Sequence, residues 1–272
     1  MDNFTTVYNE YYKPDYKPYS QERRSALGFR DPVPTVEIVG VWDTVAFHDF
    51  WFCRFFGEKL EYRNTDLSPN IKYAFHALSL DEKRSAFQPT LWHLPEQTKG
   101  QELLQVWFSG VHTDVGGGAD DPRLSNITLA WMIAQCTKHN QLSFDFDYLF
   151  PDPSPQKEPG TTPWATSKGK NGSWGLIQYM EMLFLGTSRR KPLQYKPLET
   201  TNEMIHESIK DRNCCGQAKK HKLWPTNVLK SRRDEEAWIL PSCREVLKQV
   251  EASDLEKHLK GRIRTVHALQ ID

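Results

Sequence analysis

The sequence predicts an α/β fold: a parallel sheet flanked by helices, followed by a loop-rich helical C-terminal region. Three observations carry this. Val36-Glu-Ile-Val-Gly-Val41 and Leu103-Leu-Gln-Val-Trp-Phe108 are short runs rich in β-branched and aromatic residues, the pattern of buried parallel strands. A helical spacing of apolar residues lies between them. Each strand run is followed by an ionisable residue, Asp43 and His112, where parallel sheets build their sites.

Taken in order, residues 1–34 form a polar, Tyr-rich lead-in, loose or weakly helical, with Pro14, Pro18, Pro32 and Pro34. Residues 35–150 form the α/β part. The strand at 36–41 leads to an aromatic stretch, Phe47–Phe56, that reads as a helix or a lid-like loop. Ser68-Pro69 has the composition of a helix start, Ser as N-cap and Pro at the first helical position. Ile71, Ala74, Phe75 and Leu78 then share a face at i, i+3, i+4, i+7. The strand at 103–108 runs into a Gly-rich loop, Gly110-Val-His-Thr-Asp-Val-Gly-Gly-Gly118. Ser125 or Asn126 caps a further helix with Ile127, Ala130, Trp131 and Ala134 on one face. Residues 151–272 form a linker and a helical region. The linker, 151–173, is rich in Pro, Gly, Ser and Thr. The best helix beyond it starts at the capping box Ser242-Cys-Arg-Glu245, with Val246, Leu247 and Val250 following, and Ser253-Asp-Leu-Glu256 restarts it. No internal repeat is seen.

Bulk properties exclude several classes. Lys+Arg and Asp+Glu both number 35, so no global basic field points to nucleic acid or an anionic membrane. Nine Trp, ten Tyr and fourteen Phe argue against a disordered chain. Cys53, Cys136, Cys214, Cys215 and Cys243 are odd in number and irregular in spacing. They fit neither a zinc knuckle nor a redox motif and read as reduced thiols. No signal core or transmembrane run is seen, so a soluble, cytoplasmic protein is expected if Met1 is the start. No cofactor and no metal are expected.

Asp43 and His112 are the candidate catalytic pair. A hydrolase triad needs a nucleophile, a base and a carboxylate that orients the base. In α/β-hydrolases these follow successive strands, in the order nucleophile, acid, His. Asp43 would fix the imidazole tautomer, and His112 would present its other nitrogen to a nucleophile. The glycines after His112 let backbone approach closely. Asp114 reads as a turn residue or as a group that steadies the His112 loop. Ser109 lies at a strand end rather than on a strand-to-helix elbow, a poor place for a nucleophile. His76 and Glu82 read as packing and solvated surface; Trp42, Trp107 and Trp131 read as core. The basic runs Lys219-Lys-His-Lys222 and Ser231-Arg-Arg-Asp234 read as solvated faces. A metal-assisted site from Asp43, His112 and Asp114 offers a thin ligand set for zinc.

Several segments in order resemble the α/β-hydrolase-type domain family of type VI secretion phospholipase effectors, found in bacteria and widely in fungi. They are Val39-Gly-Val-Trp-Asp-Thr-Val45, Leu67-Ser-Pro-Asn70, Ala74-Phe-His-Ala-Leu-Ser-Leu-Asp-Glu82, Val106-Trp-Phe-Ser-Gly-Val-His-Thr-Asp-Val-Gly-Gly-Gly118 and Leu124-Ser-Asn-Ile-Thr-Leu-Ala-Trp-Met132. Trp174-Gly-Leu176 and Thr201-Asn-Glu-Met-Ile-His206 continue the match more weakly. The resemblance implies a partial α/β-hydrolase-like sheet, a phospholipase- or esterase-like serine hydrolase, and a lipid or ester substrate. It puts the triad acid on Asp43 and the triad histidine on His112. Two departures stand out. Ser109 replaces an expected Pro, and no G-x-S-x-G nucleophile elbow occurs anywhere in the sequence. Gly172-Ser-Trp-Gly175 is one residue short and follows His112, the wrong order. The expectation is a C-terminal part of a larger domain, inactive as it stands; the competing reading is a non-catalytic binding or scaffold module with a remnant pocket.

Overall fold

The structure is a computed structural model. It describes residues 5–7, 19–29, 34–46, 65–85, 87–94, 100–140, 142–145, 188, 190–192, 198–209, 230–231, 237–239, 246–250 and 252–254. The chain divides into two compact units, Met1–Val36 and Glu37–Asp272. In the first, a short helix α1, Gln21–Ala26, is capped by Ser20, whose hydroxyl accepts from the Arg23 N–H at 3.3 Å.

The second unit is an α/β sheet. Its strands are β1 (Val36–Trp42), β3 (Ile71–Ser79), β5 (Glu102–Phe108), β6 (Glu203–His206), β7 (Lys230–Ser231), β8 (Ala237–Ile239) and β9 (Val246–Val250), in the order β1-β3-β5-β6-β9-β8-β7. β3, β5, β6 and β9 are parallel; β8 and β7 close that edge antiparallel. A separate antiparallel pair joins β2 (Val45–Ala46) to β4 (Gln88–Pro89). Helix α3, Arg123–Lys138, covers one face. There Phe75, Val106, Phe108, Ile127, Trp131 and Met132 form the main core. Trp131 meets the Phe75 and Phe108 rings edge-on, at 6.3 and 5.5 Å between centroids. Strand alternation sends Ala74 and Leu103 to the opposite face, against Leu67, with Trp92 packed beside them. The close approach of β1 to α3 needs Gly40, where a Cβ would lie 2.6 Å from the Met132 sulfur.

Two expected helices are strands. Residues 71–79 form β3, hydrogen-bonded between β1 and β5. A strand buried on both faces is apolar at nearly every position, so it satisfies i, i+3, i+4, i+7 by default. Ser68-Pro69 begins a β-turn instead of a helix: the Ile71 N–H reaches the Ser68 carbonyl at 3.0 Å, and Pro suits the second position of such a turn. The helix expected through Val246, Leu247 and Val250 is β9, paired with β6 on one side and β8 on the other. The local capping signal is overridden by a ladder on each edge. The C-terminal region is therefore not simply helical, since it supplies four strands of the main sheet.

Helix α3 starts at Arg123 behind Pro122, earlier than Ser125 or Asn126, and the Ser125 hydroxyl instead donates to the Pro122 carbonyl at 3.0 Å. Ile127, Ala130 and Trp131 are buried as expected. Among the described residues, no helix is long and apolar enough to cross a membrane. Cys136 is a free, buried thiol. The other four cysteines, Phe47–Phe56, the 151–173 linker, Gly172–Gly175, the 219–222 basic run and residues 255–256 of the second capping box lie outside the described residues.

Candidate active site

The ends of β1, β3 and β5 converge on one carboxylate. Asp43 follows β1 in a left-handed backbone conformation (φ 43°), which Asp tolerates better than most residues. Two bonds hold that bend. The Asp43 N–H reaches the Ala77 carbonyl at 2.7 Å, and the Thr44 N–H donates to His76 Nε2 at 3.1 Å. His76 therefore carries its proton on Nδ1, facing Gln105 Oε1 at 3.2 Å; these two residues are register partners on β3 and β5. Burial pushes the His76 imidazole down to about 4, so it is neutral near pH 7. Gln105 in turn accepts from the Trp92 N–H and donates to the Trp92 and Thr201 carbonyls.

The Asp43 side chain is fully buried and accepts from five donors. Oδ1 takes the Ser79 N–H and Arg190 Nη1, both at 2.9 Å. Oδ2 takes the Ser79 hydroxyl at 2.8 Å, Arg190 Nη2 at 3.1 Å and His112 Nδ1 at 2.8 Å. Burial alone would push this carboxyl up. The Arg190 charge and the hydrogen bonds from His112, Arg190 and Ser79 outweigh burial and hold it well below the usual carboxylate range. An ionised Asp43 requires a proton on His112 Nδ1, so in the neutral imidazole the acceptor lone pair is on Nε2.

The segment carrying His112 is a tight turn followed by a short helix, α2 (His112–Gly116), rather than a continuous loop. Gly110 makes the turn at φ 116°, and a Cβ there would sit 2.6 Å from Asp114 Cβ. Asp81 grips Gly110 from both sides: its Oδ2 accepts the Gly110 N–H at 2.7 Å, and its N–H reaches the Gly110 carbonyl at 2.9 Å. Asp114 Oδ2 accepts the Val111 N–H at 3.0 Å, so it steadies this segment. The His112 N–H points to Glu82 Oε2 at 3.3 Å. The Phe87 ring makes a T-shaped contact with the imidazole, 5.1 Å between centroids, and the Arg84 guanidinium lies over the Phe87 ring, 3.5 Å from its centroid. The His112 side chain is 31 % exposed, whereas Asp43 is 0 % exposed.

Asp43 and His112 are thus brought into direct contact. Asp114 is two residues from His112 but turns to the backbone, and among the described residues no three His, Cys, Asp or Glu side chains group as a metal site would need. Ser109 is buried at the end of β5 and makes no hydrogen bond to His112 among the described residues. Trp107 and Trp131 are core, and Trp42 packs against the cluster that holds Trp131. Glu82 is a correction, because it is buried and not a solvated surface residue. Burial would raise its carboxyl, but the bonds and charge of Arg84 hold it below its ordinary value. Ser79, Asp81 and above all Arg190 were missed by sequence reasoning. Ser79 and Asp81 sit in the resembling segment 74–82 and carried that signal; Arg190 lies in a stretch with no pattern.

Residues 1–135 match the family model described as T6SS, phospholipase effector Tle1-like, catalytic domain. No curated protein and no solved structure matches the chain. The matched stretch, residues 1–135, holds both Asp43 and His112, and over it the chain is similar to the Tle1-like phospholipase-effector catalytic domain.

Proposed function

We propose that this chain carries the acid–base half of a phospholipase-type carboxylic-ester hydrolase centre, with a lipid ester as its ligand. Asp43 orients His112, and His112 Nε2 is the proton acceptor for an attacking hydroxyl. The observation that carries this reading is the 2.8 Å contact between His112 Nδ1 and the buried, ionised Asp43 Oδ2. It sets the tautomer and aims the free nitrogen, which is the acid's role in a hydrolase triad.

The third role has no elbow in this sequence, since no G-x-S-x-G occurs. Removing the serine from a serine hydrolase costs on the order of 10⁶ in kcat. The chain alone is therefore expected not to turn over esters. The same missing elbow favours a second reading, a binding module that keeps the ester pocket without chemistry. The test is fluorophosphonate labelling of the full chain, beside release of product from a short-chain phospholipid. No covalent label and no turnover are expected. Stoichiometric labelling of a serine, lost in His112→Ala, would show a nucleophile within this chain and would sink both the inactive reading and the module.

A further inference from the structure

Arg190 stands 147 residues from Asp43 in sequence, and also beyond the stretch that matches the family. It is nevertheless the charge partner of the candidate acid. Its side chain is 1 % exposed, and each terminal nitrogen takes a different carboxylate oxygen, Nη1 on Oδ1 and Nη2 on Oδ2. This two-point grip fixes rotation about the Cβ–Cγ bond as well as position. His112 Nδ1 shares Oδ2 with Arg190 Nη2, so the plane in which the carboxylate meets the imidazole is the plane the guanidinium imposes.

The same guanidinium holds the other side of His112. Nη2 also donates to the Phe87 carbonyl, and Nη1 lies 3.4 Å from the Ser79 carbonyl. Phe87 is the residue whose ring makes the T-shaped contact with the imidazole. Two residues before Arg190, the Ser188 N–H reaches the Lys83 carbonyl at 2.8 Å, pinning this strand of chain along the segment that runs from Asp81 to Phe87. One buried side chain therefore ties together the acid, the end of β3 and the ring beside the base.

We infer that Arg190 is the positioning residue of the Asp43–His112 pair, so that the site is incomplete without the segment around residue 190. This rests on the reading of Asp43 and His112 as acid and base. Arg190 neither touches a reacting atom nor moves a proton. It holds the carboxylate in the orientation that gives His112 its tautomer. A lysine keeps the charge, but its single ammonium cannot span both oxygens in the fork geometry.

The test reads the hydrogen bond itself and needs no turnover. In full-length protein labelled with ¹⁵N-histidine and ¹⁵N-tryptophan, the Nδ1 proton of His112 is observed as a low-field NMR resonance, assigned by its loss in His112→Gln. The indole N–H of Trp107, which donates to Glu203 Oε2 at 2.9 Å within the same sheet, reports the fold. Arg190→Lys and Arg190→Met are compared, and whichever variant keeps the Trp107 signal is the one read. The expected result is loss or a marked upfield move of the His112 resonance with the Trp107 signal in place. An unchanged His112 resonance in a folded variant overturns the positioning role. Loss of the Trp107 signal in both variants also overturns it, because Arg190 would then be holding the sheet rather than the site. A wild-type protein without the His112 resonance fails differently: the Asp43–His112 reading itself falls.

Discussion

Asp43 and His112 are 2.8 Å apart, yet their surroundings are opposites. The carboxylate is 0 % exposed and held by five donors from three segments. The imidazole is 31 % exposed, with Asp43 on one nitrogen and the Phe87 ring beside it. The proposed acid is over-determined and the proposed base is left open. A purely structural ion pair has no need of that asymmetry. A site whose base must meet an incoming hydroxyl has every need of it.

The largest way to break the comparison is Asp43→Asn. It leaves the shape almost intact but strands the Arg190 guanidinium, which is 1 % exposed, without its counter-charge. Removing one partner of a buried pair costs about 3–5 kcal/mol. Urea unfolding should show a loss of that size. A loss under about 1 kcal/mol would mean that water reaches Arg190 and that the acid is not the closed end of the site.

Acid should loosen the same end by a second route. His76 is neutral and accepts the Thr44 N–H that holds the Asp43 bend. Its folded value of about 4 lies below the ordinary histidine value near 6.5, so below that value the unfolded chain binds more protons than the folded one. Stability is therefore full above about pH 6.5 and falls as pH drops toward 4, by about 3 kcal/mol. Asp43 adds nothing in that window. Its lowered carboxyl supplies stability that is present above the ordinary carboxylate value and lost only at more acid pH. Chemical denaturation at pH 7, 5.5 and 4.5 should show the slope, and His76→Gln, which keeps an acceptor but cannot titrate, should flatten it. An equal slope in that variant would assign the acid sensitivity elsewhere.

The open end was the easier one to read in the sequence. Both Asp43 and His112 follow apolar runs, and Gly110 and Gly116–Gly118 announce a backbone that must bend sharply. Strand ends and glycine turns are local, so they leave local marks. What closes the acid end is not local. Arg190 meets Asp43 across 147 residues, and its neighbours carry no mark of a strand end or a helix face. The same distinction explains the fold. β1 and β5 were legible because short apolar runs carrying β-branched or aromatic residues and bounded by Pro or Gly have few alternatives. β3 and β9 were read as helices because burial on both faces erases the alternation of β3, and because a capping box ahead of β9 says nothing of the strands on either side. Glu82 was misread for a related reason: a Glu within the charged run Asp81-Glu-Lys-Arg84 looks solvated until Arg84 and the His112 N–H are seen to enclose it.

The smallest effect sharpens the comparison most. His112→Gln removes one donor from a carboxylate that retains four, so no buried charge is stranded. It also removes an edge contact with Phe87 from a side chain already about one-third exposed. A hydrogen bond lost without leaving its partner unsatisfied is worth about 1 kcal/mol or less. Urea unfolding of His112→Gln should therefore sit within about 1 kcal/mol of the wild type, well short of Asp43→Asn. A base that can be removed this cheaply is held for something other than stability. If His112→Gln instead costs as much as Asp43→Asn, the imidazole is a fourth wall of the buried cluster, and the division between a closed acid and an open base disappears.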